Sequence, residues 1–488
     1  MIDRMTHNET PHLQPIVPAY HLRILSDEQL ADFKAATLEL LDTVGIHCPS
    51  ERARKIYAEH GARVDLTSQI VRISPEAVIE ALSHAPRYYT MGARSEAHDL
   101  KLDGTAMYVA TDGSGLRTLD FETGQRRPSV KDDVAKMARV ADYLSSIGFY
   151  WPIVSATDYA QTAPLHELDA SFNNTVKHVQ TETAMGETIG RYAVEMARVI
   201  AGNETTMRAR PPLSLLVCTI APLAQDVDGM ESALVFAEAG LPVGFMSMAA
   251  TGLTAPATVA GTMAVGDTEI VAAMVLIQMA HPGTPVYHSL MPGIMHPSTG
   301  DFVGSVWEAD LFYSVGVELA HMWGVPTLAG VGTEAATSGW ESAAGIASSM
   351  LLCALCGAET GSGLGLREVC TLLSPEALVL DSDIYHTVRK EAAGLDTSRA
   401  ALALDVIRAV GPRGHFLFQD HTRRQYRSLE FSELTAQPKE GGGYRDPIEV
   451  AREKTDWILE NHHPEPLADE QQAELERILQ AAERELGS

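Results

Sequence analysis

Residues 325–345 read VPTLAGVGTEAATSGWESAAG. A short apolar run entered through Pro326 ends in a glycine-rich turn. Glu334, Trp340 and Glu341 follow, and then a stretch of small residues with helical character. This is the pattern of a buried parallel strand, a loop and the next helix. In α/β proteins chemistry sits where strands end and such loops begin. Taken alone, the stretch equally suits an ordinary strand-to-helix connection. Its neighbours decide what it belongs to.

Similar apolar runs recur on both sides. Strands are expected over 108–110, 149–155, 178–183, 213–219, 243–247, 285–290, 327–332 and 359–362. Helical patterns lie between them over 129–144, 163–173, 185–201, 230–239, 258–279, 309–323 and 346–356. Strands that alternate with helices pair in parallel through right-handed crossovers. Eight such units point to a closed (β/α)8 TIM barrel, expected over residues 91–395.

The flanks differ in character. Residues 1–90 read as an arm and a helical cap. Ser26 with Gln29 forms a capping box ahead of apolar residues at helical spacing, and Ser74-Pro75-Glu76 opens another helix. Residues 396–488 read as a C-terminal capping segment with helices over 396–410, 446–460 and 469–486. Between the first two lies an irregular polar and aromatic stretch over 414–422.

Composition narrows the function. Hydrophobic residues make up 45% and charged residues 21%, a globular balance. The net charge of −27, from 37 basic and 64 acidic residues, argues against a nucleic-acid surface. It suits a basic partner or a cationic substrate. Five scattered cysteines suggest reduced thiols, and the start MIDRMTHNET lacks the apolar core of a signal peptide. No stretch reads as a membrane span, so a cytoplasmic protein is expected.

Several chemistries lack their signatures. No GxGxxG or Walker pattern follows a strand, and no GxSxG elbow exists. Cys353 and Cys356 form the sole CxxC, inside a helical apolar pattern, where buried core residues are the simpler reading. His288, His296, His415 and His421 show no paired spacing. No metal held by this chain is expected. Aromatics are more suggestive: Tyr108, Trp151, Phe245, Tyr287, Trp307 and Trp340 fall at or just past expected strand ends. Aromatic faces with carboxylates attract quaternary ammonium ions. Aromatics also plug barrel mouths with no ligand role.

Longer segments carry a resemblance. They include LLDTVGIHC, MGARSEAHDLKLDG, LDFETGQRRPSVKDDVAKMARVADYL, SMAATGLTAPATVAGTMAVGDTEIVAAMVLIQ, PVYHSLMPGIMHPSTGDFVGS and ALDVIRAVGPRGHFLFQDHTRRQYRSLEF. In this order and spacing, over about residues 25–486, the chain resembles the trimethylamine methyltransferase family. It is closer to members that lack pyrrolysine, such as glycine betaine methyltransferase. The resemblance implies a barrel that passes a methyl group to the Co(I) centre of a separate corrinoid protein, with the cobalamin carried by that partner. The family loop after the seventh strand commonly carries an aspartate, a lysine and a glutamine. Here Glu334 stands at the aspartate and Glu341 at the glutamine, and residues 325–345 contain no lysine.

That departure favours a quaternary amine. A quaternary ammonium leaves as a neutral amine and needs no general acid, so the site needs orientation, desolvation and a cation-tolerant cage. Glu334 and Glu341 are therefore expected to position the substrate cation. Trp307 and Trp340 would wall the cage, with Tyr108, Phe245 and Tyr287 adding aromatic surface. His288, His415 or an arginine would hold a betaine carboxylate, the two histidines alternatively binding the corrinoid, and His421 and Gly332 would meet the corrinoid. A homo-oligomer is expected. Three alternatives stay open: a betaine-binding protein that kept the barrel and lost turnover, a tertiary methylamine methyltransferase, and a different barrel enzyme such as a lyase. The last would need a Schiff-base lysine, for which only Lys177 stands near a strand.

Overall fold

A computed structural model describes residues 10–304, 308–427 and 429–487. Its centre is a ring of eight parallel strands: β1 (Tyr108–Thr111), β2 (Ile147–Tyr150), β3 (His178–Thr181), β4 (Leu213–Cys218), β5 (Val243–Ser247), β6 (Val286–Leu290), β7 (Leu328–Gly330) and β8 (Thr360–Leu364). Seven neighbouring pairs are parallel ladders. The ring closes between β6 and β7, where His288 bridges Thr327 and its amide donates to the Pro326 carbonyl at 3.0 Å.

A helix follows each strand: α1 (Lys131–Tyr143), α2 (Ala163–Asn174), α3 (Glu187–Ala201), α4 (Val227–Ala239), α5 (Val259–Ala280), α6 (Ala309–Trp323), α7 (Trp340–Leu355) and α8 (Ala377–Ala392). The TIM-barrel expectation therefore holds unit by unit. The second strand is displaced from 149–155 to Ile147–Tyr150. Pro152, which has no N–H to give a ladder, follows Trp151 and ends it.

Side-chain parity sorts the core into two layers. Inside the ring, Ala110, Phe149, Trp151, Leu216, Met246, Tyr287 and Leu328 form one cluster. The hairpin of Tyr89–Met91 and Leu100–Leu102 adds Met91, Leu100 and Leu102, closing the N-terminal end of the lumen. Alternate residues, among them Val179, Leu215, Phe245 and Val286, meet the helices in the outer layer.

Helix α5 corrects one expectation. By length and hydropathy it could cross a membrane, although 78% of that window is buried within the protein. It also carries the buried carboxylates Asp267 and Glu269. Those two groups are bonded inside the fold, by His288, Thr37, Thr219 and Ser247. The N-terminal helices Asp27–Glu39, Glu51–Glu59 and Pro75–Leu82 lie against α5. The expected helix over 396–410 is two pieces, Arg399–Leu402 and Leu404–Val410, broken at Ala403 with φ 49°. The stretch expected to be irregular includes a helix, Asp420–Tyr426.

Candidate active site

The inward series of β1, β3 and β4 each end in a polar residue at the C-terminal mouth. Tyr108, Ala110 and Asp112 share one parity; so do His178, Gln180 and Glu182; so do Ser214, Leu216 and Cys218. At the mouth the Cys218 thiol donates to Glu182 Oε1 at 3.3 Å. Burial raises the Glu182 carboxyl to about 7, and the neighbouring charges of Asp112 and Glu167 add to that. Burial likewise lifts Asp112 to about 6, although the Cys370 thiol and the Gly113 amide bond to it. Both carboxyls are thus poised near neutrality, which marks a functional cleft.

Cys370 is presented by an unusual turn. Glu368, Val369 and Cys370 have φ of 54°, 56° and 57° in succession. A left-handed conformation costs a residue with a Cβ about 1–2 kcal/mol, so three in a row store strain beside the mouth. The turn is held by amides of Glu368 and Val369 donating to the Ala335 and Glu334 carbonyls at 3.0 and 3.3 Å. Below it, Arg367 is buried against Asp381, with bonds of 2.7 and 3.1 Å, and its Nε donates to Ser338 at 3.0 Å. The loops after β7 and β8 are therefore one tied unit.

Glu334 belongs to that unit. It is half-buried and its Oε2 accepts the Gly304 amide at 2.6 Å. Its charge acts on Tyr313 and Cys370, both of which burial raises above their ordinary values. Glu167 on α2 sits behind Glu182, accepting Thr183 Oγ1 at 2.5 Å and the Ala156 amide at 3.2 Å. Burial lifts it to about 7. It positions the loops after β2 and β3. Gly332 lies half-buried at the mouth, where a Cβ would come within 2.5 Å of the Gly363 carbonyl oxygen.

Other expected residues lie elsewhere. Tyr108 starts β1, so it stands at the opposite end of the barrel. Phe245 is buried in the outer layer, because its parity is opposite to that of Gly244 and Met246. Tyr287 does face the lumen, but it is core: it crosses Gly244, where a Cβ would meet its ring at 2.0 Å, and its hydroxyl donates to Gln180 and the Leu215 carbonyl. His288 faces α5 and is bonded to Asp267 at 2.9 Å. His415 is exposed on the C-terminal segment, edge-on to Phe418. Trp340 is 85% exposed at the start of α7, and Glu341 beside it is exposed too. His421 lies on the short helix Asp420–Tyr426, its Nε2 buried without a partner. Trp307 lies outside the described residues. Lys177 precedes β3 and is structural: its Nζ donates to the carbonyls of Ala141, Leu144 and Ile147, each at 2.7 Å.

The comparisons agree over nearly the full length. A family model described as trimethylamine methyltransferase (MTTB) matches residues 3–487. The chain belongs to the trimethylamine methyltransferase family. It is 29% identical to the trimethylamine methyltransferase MttB of Desulfitobacterium hafniense, over 96% of each chain. It is 28% identical to the MttB of Methanosarcina barkeri strain Fusaro, over 95% of this chain and 96% of that one. The glycine betaine methyltransferase of Desulfitobacterium hafniense strain Y51 is 26% identical over 97% and 99%. The chain is accordingly a methyltransferase.

In this trimethylamine methyltransferase family member, the mouth gathers Asp112, Glu182, Cys218 and Cys370, none of which the sequence reading singles out for the site. A signal existed for Glu182. In HVQTE, His178, Gln180 and Glu182 fall at every second position, so the inward face of β3 runs on into the loop. Cys370 offered none, since its direction is set by the left-handed turn.

Proposed function

We propose that this methyltransferase moves a methyl group from a quaternary amine to the Co(I) of a cognate corrinoid protein. The partner's corrinoid would supply the electron pair that takes up the methyl group, while the C–N bond would break with its pair retained by nitrogen and release a neutral tertiary amine. No proton is transferred, so the barrel has only to hold and desolvate the cation. The observation that carries this reading is the convergence of Asp112, Glu182 and Glu334 around the Cys370 thiol, which feels the charge of all three, at a mouth beside Trp151. Carboxylates beside an aromatic wall suit a permanent cation.

The rim of the mouth supports a macromolecular partner. Leu116, Ile220, Met248, Leu253 and Val369, from the loops after β1, β4 and β5 and the turn after β8, are 46–60% exposed. Apolar side chains gathered around an opening mark an interaction surface. The cobalamin would arrive with that partner as the methyl acceptor. The test is to mix the protein with reduced corrinoid protein and a panel of quaternary and tertiary amines, and to follow the cobalamin spectrum. Formation of methyl-Co(III) with a quaternary amine is expected; none with any amine would sink the reading.

A further inference from the structure

The strand-to-helix loops are unequal in charge. The loops after β2, β3, β4, β5, β6 and β7 contain no arginine or lysine at all, and carboxylates occur in five of those six. Arginines occur only after β1 and β8. Of these, Arg126 pairs with Glu368, Arg127 with Asp120 and Asp133, and Arg367 with Asp381. Arg117 is exposed on an outer strand, Arg117–Leu119, paired with Arg126–Pro128. Arg367 stands nearest the mouth. Its guanidinium is 1% exposed and bonded to Asp381, Ser338 and the Leu366 carbonyl. His288 and His415, which would have held an anionic group, lie in the helix layer and on the exposed C-terminal segment.

Trp151 adds an independent observation. The ring is 3% exposed, it packs on Gly113 next to Asp112, and its indole N–H has no acceptor. Among the described residues the mouth therefore offers negative charge, an aromatic wall and a neutral donor without a partner.

We infer that the substrate is an N-methylated ammonium cation whose remaining substituent carries no negative charge, of the tetramethylammonium or choline type, rather than a betaine zwitterion. This rests on the methyl-transfer reading above. A carboxylate brought to this mouth would meet Asp112, Glu182 and Glu334, and among the described residues of the strand-to-helix loops the one arginine without an ion partner, Arg117, lies on the outer strand; like-charge juxtaposition is strongly disfavoured. A neutral hydroxyl tail meets no such opposition.

The inference is tested by calorimetric titration of the intact protein at pH 8 with tetramethylammonium, choline and glycine betaine, and by methyl transfer from each to the reduced corrinoid protein. The two uncharged-tail cations are expected to bind at least about tenfold more tightly than glycine betaine. Glycine betaine that binds as tightly and still transfers its methyl group overturns the inference and leaves methyl transfer intact. Selective cation binding without any transfer supports the inference and overturns the methyl-transfer reading instead. Asp112→Asn and Glu182→Gln should each bring the tetramethylammonium-to-betaine ratio toward one; an unchanged ratio overturns the inference. The wild-type protein gives a second measure that no misfolded variant can spoil. The ratio should shrink as pH falls from 8 to 5.5 and the mouth carboxyls protonate, and a ratio that ignores pH counts against the inference.

Discussion

Glu182→Gln is expected to make the protein more stable at pH 8 while making it a poorer cation binder. Burial raises the Glu182 carboxyl from its ordinary 4.5 to about 7. Below pH 4.5 the group is protonated in both the folded and the unfolded chain and costs nothing. As pH rises toward 7 the unfolded chain releases its proton first, so the folded state loses stability across that window. The full difference is roughly 3 kcal/mol, at 1.36 kcal/mol for each unit. Glutamine does not ionise and escapes that loss. For a chain of this length the unfolding entropy is about 1 kcal/mol/K, so the melting temperature of the variant should exceed wild type by about 3 °C at pH 8 and by little at pH 5. The groups facing Glu182 are Cys218, Asp112 and Glu167, and Asp112 and Glu167 both favour its neutral form in the same way. A bound ammonium reverses this preference by drawing the carboxylate out, so wild type should release protons on binding at pH 6.5 and the variant fewer. Removing the charge should weaken cation binding at pH 8 by roughly tenfold. Thermal melts at the two pH values, with titrations in buffers of different ionisation enthalpy, decide the matter. A melting gap that does not widen with pH, or undiminished cation affinity in the variant, would refute the reasoning.

Three further outcomes are expected. Lys177→Met should cost about 3 kcal/mol or more in denaturant unfolding, because three buried carbonyls lose their donor, while turnover per folded molecule stays unchanged. Val369→Gly should raise stability by up to about 1 kcal/mol, since the φ of 56° that strains valine is open to glycine; a melt shifted downward would show that the turn is not strained. Trp340→Ala should leave substrate KM unaltered because the ring is exposed, whereas Glu334→Gln should raise it.

The barrel was legible because each apolar run is short, bounded by turn residues and separated from the next by a helical pattern. Facing was not legible from the same runs. In VGFMS and VYHSL both faces of the strand are buried, one against the lumen and one against helices, so hydrophobicity carries no period of two. That is why Phe245 and His288, expected at the substrate site, belong to the outer layer. Gly244 held the missing clue, since a residue without a Cβ inside a barrel strand makes room for a large neighbour, here Tyr287. The exposure of Trp340 and Glu341 was not legible for another reason. They open α7, and the turn that precedes it, over residues 335–339, carries them out to solvent. The mouth carboxyls on β1 and β3 were readable by parity, whereas the tying of the last two loops through Arg367 and Asp381 joins residues whose partnership no local pattern announces.

Far from the mouth, one carboxylate gathers distant parts of the chain. Asp142, at the end of α1, accepts hydrogen bonds from Thr10, Thr175, the Val176 amide and His462. Burial alone would push this carboxyl up, but the His462 bond, the Lys177 charge and the bonds from Thr10 and the Val176 amide together offset it and hold the group below its ordinary value. During synthesis, α1 is made long before residue 462. A chain ending short of His462 would leave Asp142 without its most distant hydrogen-bond partner, so the settled lower end of the barrel depends on a residue 320 positions further along the chain.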